Sequence, residues 1–139
     1  MSTDGSDGQT TVPVPGDVFT HDRTFTVEDV REFGQITGDQ QSIHTDPDTD
    51  GRLITQGLLT GSLLTKIGGD LSYIARTLDF EFLRPVYTGE PITCEWTVES
   101  RTEQEDRYRL ENAIVFRNEA DQVVIEAETT GLIWKDDTH

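Results

Sequence analysis

Between residues 92 and 98 the chain alternates, with Ile92, Cys94, Trp96 and Val98 apolar and Thr93, Glu95 and Thr97 polar between them. A period of two predicts a strand with one buried and one solvated face. Similar grammar runs through "YIARTLDFEFLRPV", "EPITCEWTVESRTE", "RYRLENAIVFRNE" and "QVVIEAETTGLIW", with "RNEADQ" as a hairpin loop. The second half therefore reads as four successive antiparallel strands.

The first half has a different period. After the proline-punctuated "VPVPGD", the stretch "VFTHDRTF" reads as one short strand. Thr26 is then placed to cap a helix over "VEDVREFGQIT", with Glu28 and Asp29 in the first turn, where they complement the helix dipole. Val27, Val30, Phe33 and Ile36 recur at helical spacing and predict its apolar face, and Gly38 ends it. The segment "ITGDQQSIHTDPD" that follows resembles neither helix nor strand. From Gln56, "QGLLTGSLLTKIGGDL" predicts a second helix, apolar on most sides, with Gly57, Gly61 and Ser62 small enough to admit a close neighbour. A sheet wrapped around that one helix is the economical way to bury it, which makes the fold class α+β. Residues 1–12 are expected to form a disordered acidic tail and 13–139 a single domain. No internal repeat is present.

Composition sharpens this picture. At 139 residues the chain can bury one core without disulfides or metals. Its single cysteine, Cys94, falls on the apolar face of a strand and reads as a buried structural thiol. Acidic residues number 27 against 11 basic ones, of which only Lys66 and Lys135 are lysines. The excess is spread along the whole chain, which suits solubility in concentrated salt and implies a halophilic host. It also argues against nucleic acid as a partner, since no basic stripe is present. The N-terminus lacks the basic and apolar regions of a signal peptide, and no apolar run reaches membrane-spanning length, so a cytoplasmic protein is expected. His21, His44 and His139 are scattered, without the paired spacing of metal ligands, so no metal is expected.

Candidate chemistry centres on Asp39 and His44, five positions apart. Read alone, they are a turn aspartate and a loop histidine. Three blocks in order, "FGQITGDQQSIHTD", "QGLLTGSLL" and "FEFLRPVYTGEPITCEWTV", make the chain resemble the MaoC-like dehydratases, which include the (R)-specific enoyl-CoA hydratases. The resemblance covers residues 18 to 134. That family's pattern runs Gly-Asp-x-Asn-Pro-x-His-x-Asp, then His-Gly opening a central helix, then Phe-x-x-Pro-Val-x-x-Gly-Asp. The resemblance implies a hot-dog fold, assembled as a homodimer, with an acyl-CoA thioester as substrate and no cofactor beyond the CoA carried on it.

By position, Asp39 and His44 match the family's catalytic pair, and Gly57 matches the residue whose backbone N–H faces the thioester carbonyl. Thr65, eight positions after Gly57, falls where hydratases tend to carry a serine supporting the aspartate, and packing is its plainer reading. Gln41-Ser42 replaces Asn-Pro, putting Gln41 among the substrate-binding candidates, and Gln56-Gly57 replaces His-Gly. Between His44 and Gly57 the chain is several residues shorter than in typical hydratases. Arg84 in "FLRPV" is a candidate for a CoA phosphate or a solvated strand-end arginine.

An aspartate and a histidine sharing one water supply both proton transfers of hydration: activation of water toward C3 and delivery of a proton to C2. Two other functions fit the fold. Hot-dog thioesterases often place a carboxylate on the central helix, and "GLLTGSLLTKIGG" has none before Asp70. A non-catalytic acyl-CoA-binding or partner subunit is consistent with the altered loop.

Overall fold

The computed structural model describes residues 11–136. The tail expected over residues 1–12 lies mostly outside them; at its end, Val12 packs against the core and its carbonyl accepts from Arg101.

The elements are β1 (Val18–Thr24), α1 (Val27–Thr37), α2 (Ser42–Thr45), α3 (Gly57–Gly61), α4 (Leu64–Asp70), β2 (Ile74–Phe82), β3 (Pro91–Glu103), β4 (Arg107–Arg117) and β5 (Val123–Trp134). The five strands form one sheet in the order β1-β3-β4-β5-β2, with every neighbouring pair antiparallel. The inner face of β3 is the one its alternation predicts: Ile92, Cys94, Trp96 and Val98 are buried, and they meet Leu110, Ile114 and Phe116 of β4 and Leu64 and Ile67 of α4 in one core. Burial pushes the Cys94 thiol up to about 12, so it stays protonated and inert at neutral pH.

Helix α1 starts where Thr26 predicts. The Thr26 hydroxyl accepts from the Asp29 N–H, and the Asp29 carboxylate accepts from the Thr26 N–H, a reciprocal cap. Gly38 ends it in the left-handed region at φ 82°. Its inner face, however, is Val30 and Gly34, one turn apart, while Ile36 is 81% exposed. The apolar stripe thus stops short of the helix end.

The central helix departs from expectation by being broken. Leu63, Thr65 and Lys66 donate to carbonyls three residues back, and the hydroxyls of Ser62 and Thr65 back-bond to the carbonyls of Leu59 and Ser62. Hydroxyls that compete for these carbonyls tighten and bend a helix, which separates α3 from α4. The small residues perform as read. A Cβ at Gly57 would stand 2.7 Å from the Phe82 ring and one at Gly61 2.8 Å from the Phe80 ring, so these glycines let β2 lie directly on α3.

On the outer face, Asp79 pairs with Glu128 and Glu81 with Glu126 across β2 and β5. Like charges directly opposite destabilise a sheet. Glu126→Gln is therefore expected to raise the melting temperature at low salt. The gain should vanish in molar salt, where the screening length falls to about 3 Å. Melting curves of both proteins across a salt series measure it, and a gain that persists undiminished in molar salt would disprove the repulsion.

Candidate functional site

The site is assembled by segments that have little regular structure of their own. Residues 39–45 follow α1, and within them Ser42–Thr45 make one helical turn that the sequence does not announce. Residues 53–55 run alongside. Ile54 N–H donates to the Ile43 carbonyl, Thr55 N–H to the Val86 carbonyl, and Leu53 and Thr88 are joined by two further bonds. The short loop between them is held by Asp48, whose carboxylate accepts from the N–H groups of Asp50 and Arg52 and from the Arg52 guanidinium, which also lies over the Tyr87 ring at 4.1 Å. Asp48 is the staple of that turn.

These straps bring Asp39 and His44 together. Asp39 Oδ2 lies 3.6 Å from His44 Nε2, and the two side chains are 34% and 8% exposed. His44 Nδ1 lies 2.6 Å from the Ile54 carbonyl. A carbonyl only accepts, so Nδ1 carries the proton and, in the neutral ring, Nε2 is a lone-pair acceptor. Asp39 Oδ1 accepts from both the backbone and the side-chain N–H groups of Gln41. Those two bonds, the side-chain one foremost, hold the Asp39 carboxyl below its usual range, with a smaller contribution from His44. Asp39 is therefore ionised at neutral pH. Two acceptors 3.6 Å apart do not bond to each other, and a molecule with two O–H donors can bridge them from the side.

The pair opens into a cleft of about 550 Å³ that also contains Gly57, at the start of α3, and Arg84, on the segment after β2. Four of the exposed apolar side chains, Ile43, Leu58, Phe82 and Leu83, each 45–59% exposed, stand on the lips of this cleft. Arg84 is exposed, and no carboxylate among the described residues lies within ion-pair distance of it. A groove of about 630 Å³ elsewhere is lined by Arg76, Arg107, Arg109, threonines and Glu111.

Two expected site residues lie elsewhere. Thr65 is not in the cleft. It faces a groove with His21, Leu59 and Lys66, its hydroxyl committed to the Ser62 carbonyl. Eight residues of regular helix already turn it by about 80° from Gly57, and the tightened turns between α3 and α4 add to that. Gln41 grips Asp39 instead of lining the cleft. Its bond from N–H to the carboxylate two residues earlier is an Asx turn, a signal that the sequence does carry. Thr55, Gln56 and Thr60 line the cleft, and only their place inside an otherwise apolar run marks them. Among the described residues, no three His, Cys, Asp or Glu side chains gather as a metal site requires. No helix there is long and apolar enough to cross a membrane.

A sheet curled over one central helix, with a cleft at that helix's N-terminal end, is the hot-dog fold. No family model matches the chain. Among solved structures, the (R)-hydratase from A. caviae involved in PHA biosynthesis matches with a TM-score of 0.77 at 20% identity, over 89% of this chain and 98% of that one. A MaoC-like dehydratase from Rhodospirillum rubrum matches with a TM-score of 0.71 at 16% identity, over 89% of this chain and 94% of its own. In sequence, the mitochondrial 3-hydroxyacyl-[acyl-carrier-protein] dehydratase of Arabidopsis thaliana is 26% identical over 129 residues, 85% of this chain and 76% of that protein. The resemblance to MaoC-like dehydratases carried by the three sequence blocks is thus met in fold.

Proposed function

We propose that the protein is an acyl-thioester hydratase or dehydratase of the MaoC-like kind, adding water across a 2-enoyl thioester or removing it from a 3-hydroxyacyl thioester. The observation that carries this reading is the pair of acceptors, Asp39 Oδ2 and His44 Nε2, facing each other at 3.6 Å beside an apolar-lipped cleft. A water bridging them from the cleft side donates one O–H to each. Its oxygen bonds to C3, one proton passes to the acid–base pair, and the pair delivers a proton to C2. The C=C π bond is consumed, and the net addition is one water.

Negative charge that develops on the thioester oxygen meets the Gly57 N–H, which opens α3 and precedes its first intrahelical donor. Arg84, without a carboxylate partner, suits a phosphate of a CoA carrier. Edge strand β2 exposes Ile74, Leu78 and Phe82, the kind of edge that a second copy covers, which supports a homodimer.

The test is incubation with a short 2-enoyl-CoA in high salt, following loss of the conjugated thioester's ultraviolet absorbance and release of free thiol. Absorbance loss without thiol is expected, and His44→Ala should lower the rate by about 10²-fold or more. Thiol release would replace the reading with hydrolysis. Binding without either change would leave a non-catalytic acyl-CoA-binding subunit.

A further inference from the structure

Among the described residues, Thr55 Oγ1, Gln56 Oε1 and Thr60 Oγ1 are buried without a hydrogen-bond partner in the protein, and all three side chains line the one cleft. The residues are 3%, 4% and 1% exposed. A buried polar atom left unpaired forfeits its hydration for nothing, so native proteins keep few of them. Three on one cleft wall call for a ligand that pairs with them.

Their chemistry defines that ligand. Gln56 Nε2 donates to the Val30 carbonyl at 3.0 Å, which fixes the amide orientation and leaves Oε1 as a pure acceptor in need of a donor. Each threonine hydroxyl both donates and accepts. Rotation about χ1 moves Oγ1 among its staggered positions, so each hydroxyl is free to reorient toward a ligand. A carboxylate has no proton for Gln56 Oε1, and a ketone likewise donates nothing. A hydroxyl donates to the amide oxygen while accepting from a threonine.

We propose that the acyl group carries a hydroxyl of its own, beyond C3, which this wall reads as a specificity determinant. The inference rests on the thioester reading and deepens it to a hydroxylated acyl chain. A site built to bond a substrate hydroxyl discriminates strongly against the analogue lacking it.

The experiment uses saturated thioesters, which have no double bond to hydrate, so binding is measured apart from turnover. Calorimetry of the full-length protein with pentanoyl-CoA, 4-hydroxypentanoyl-CoA and 5-hydroxypentanoyl-CoA is expected to give at least about tenfold tighter binding for one of the hydroxylated compounds. Thr55→Val with Thr60→Val should shrink that ratio, and Thr60→Val alone should raise the melting temperature by removing an unpaired hydroxyl. Equal or tighter binding of pentanoyl-CoA to the unaltered protein would overturn the inference while leaving the thioester reading intact. Failure of all three compounds to bind would overturn both. The comparison on the unaltered protein stands even if the double variant does not fold.

Discussion

Asp39→Asn is expected to lower kcat/KM for enoyl thioester hydration by about 10²–10⁴-fold while leaving the fold unchanged. Asparagine keeps the Oδ1 acceptor that Gln41 grips from its backbone and side chain, so the loop holds its shape. What is lost is the second acceptor facing His44 Nε2. An amide N–H in that place donates toward the imidazole and no longer receives a proton from water. Circular dichroism and melting should match the parent, and initial rates measure the loss. A variant that retained full turnover would remove the proposed chemistry altogether.

The pH profile follows from the same bonds. The Gln41 donors stabilise the Asp39 carboxylate, so its pKa lies below the ordinary 3.8. The base stays competent as pH falls through the usual carboxylate range and is protonated only below it. Its contribution to stability has the same sign: present at neutral pH, lost as pH drops through the lowered pKa. Gln41→Leu removes the largest of these bonds and should move the acid limb of kcat/KM upward. A limb that stays in place would mean that another group sets it.

Gly131→Ala should be the most damaging single methyl in the domain. Gly131 lies opposite Ala75 across β5 and β2, and a Cβ there would run into the Ile74 carbonyl and stand 2.5–2.6 Å from Cζ and Oη of Tyr73. None of these neighbours yields freely. The Ile74 carbonyl is backbone, and the Tyr73 hydroxyl is bonded to Thr129 Oγ1 at 3.0 Å while its ring meets Trp96 edge-on. Overpacking of this kind costs about 1–3 kcal/mol, and collision with backbone puts this case at roughly 3 kcal/mol or more. Urea unfolding monitored by fluorescence measures it. A variant within about 0.5 kcal/mol of the parent would show that β2 shifts without cost.

Elements whose signal is local were legible in the sequence. Strand β3 follows from strict alternation, and the start and stop of α1 follow from Thr26 and Gly38. The order of elements predicts the wrapped sheet, and the Asp39–His44 spacing, read with two distant blocks, predicts the pair that the fold brings to 3.6 Å. Features decided by tertiary contact were not legible. Ile36 repeats at helical spacing yet faces solvent, and the break after Gly61 arises from hydroxyls that bond either to solvent or to a carbonyl. The displacement of Thr65 is the accumulated consequence of that break. The partnerless states of Thr55, Gln56 and Thr60 exist only once their surroundings are packed.

The two tryptophans sit in opposite circumstances. Trp96 is sealed in the core against Tyr73, at the place where β2 meets β5, whereas Trp134 is partly exposed at the end of β5 with the Arg107 guanidinium 4.1 Å above its ring. Emission from Trp96 will therefore redden when the interior admits water, and that from Trp134 will track only the sheet's far corner. The chain thus carries its own pair of optical gauges, one for the seam beside the Tyr73 ring and one for the periphery.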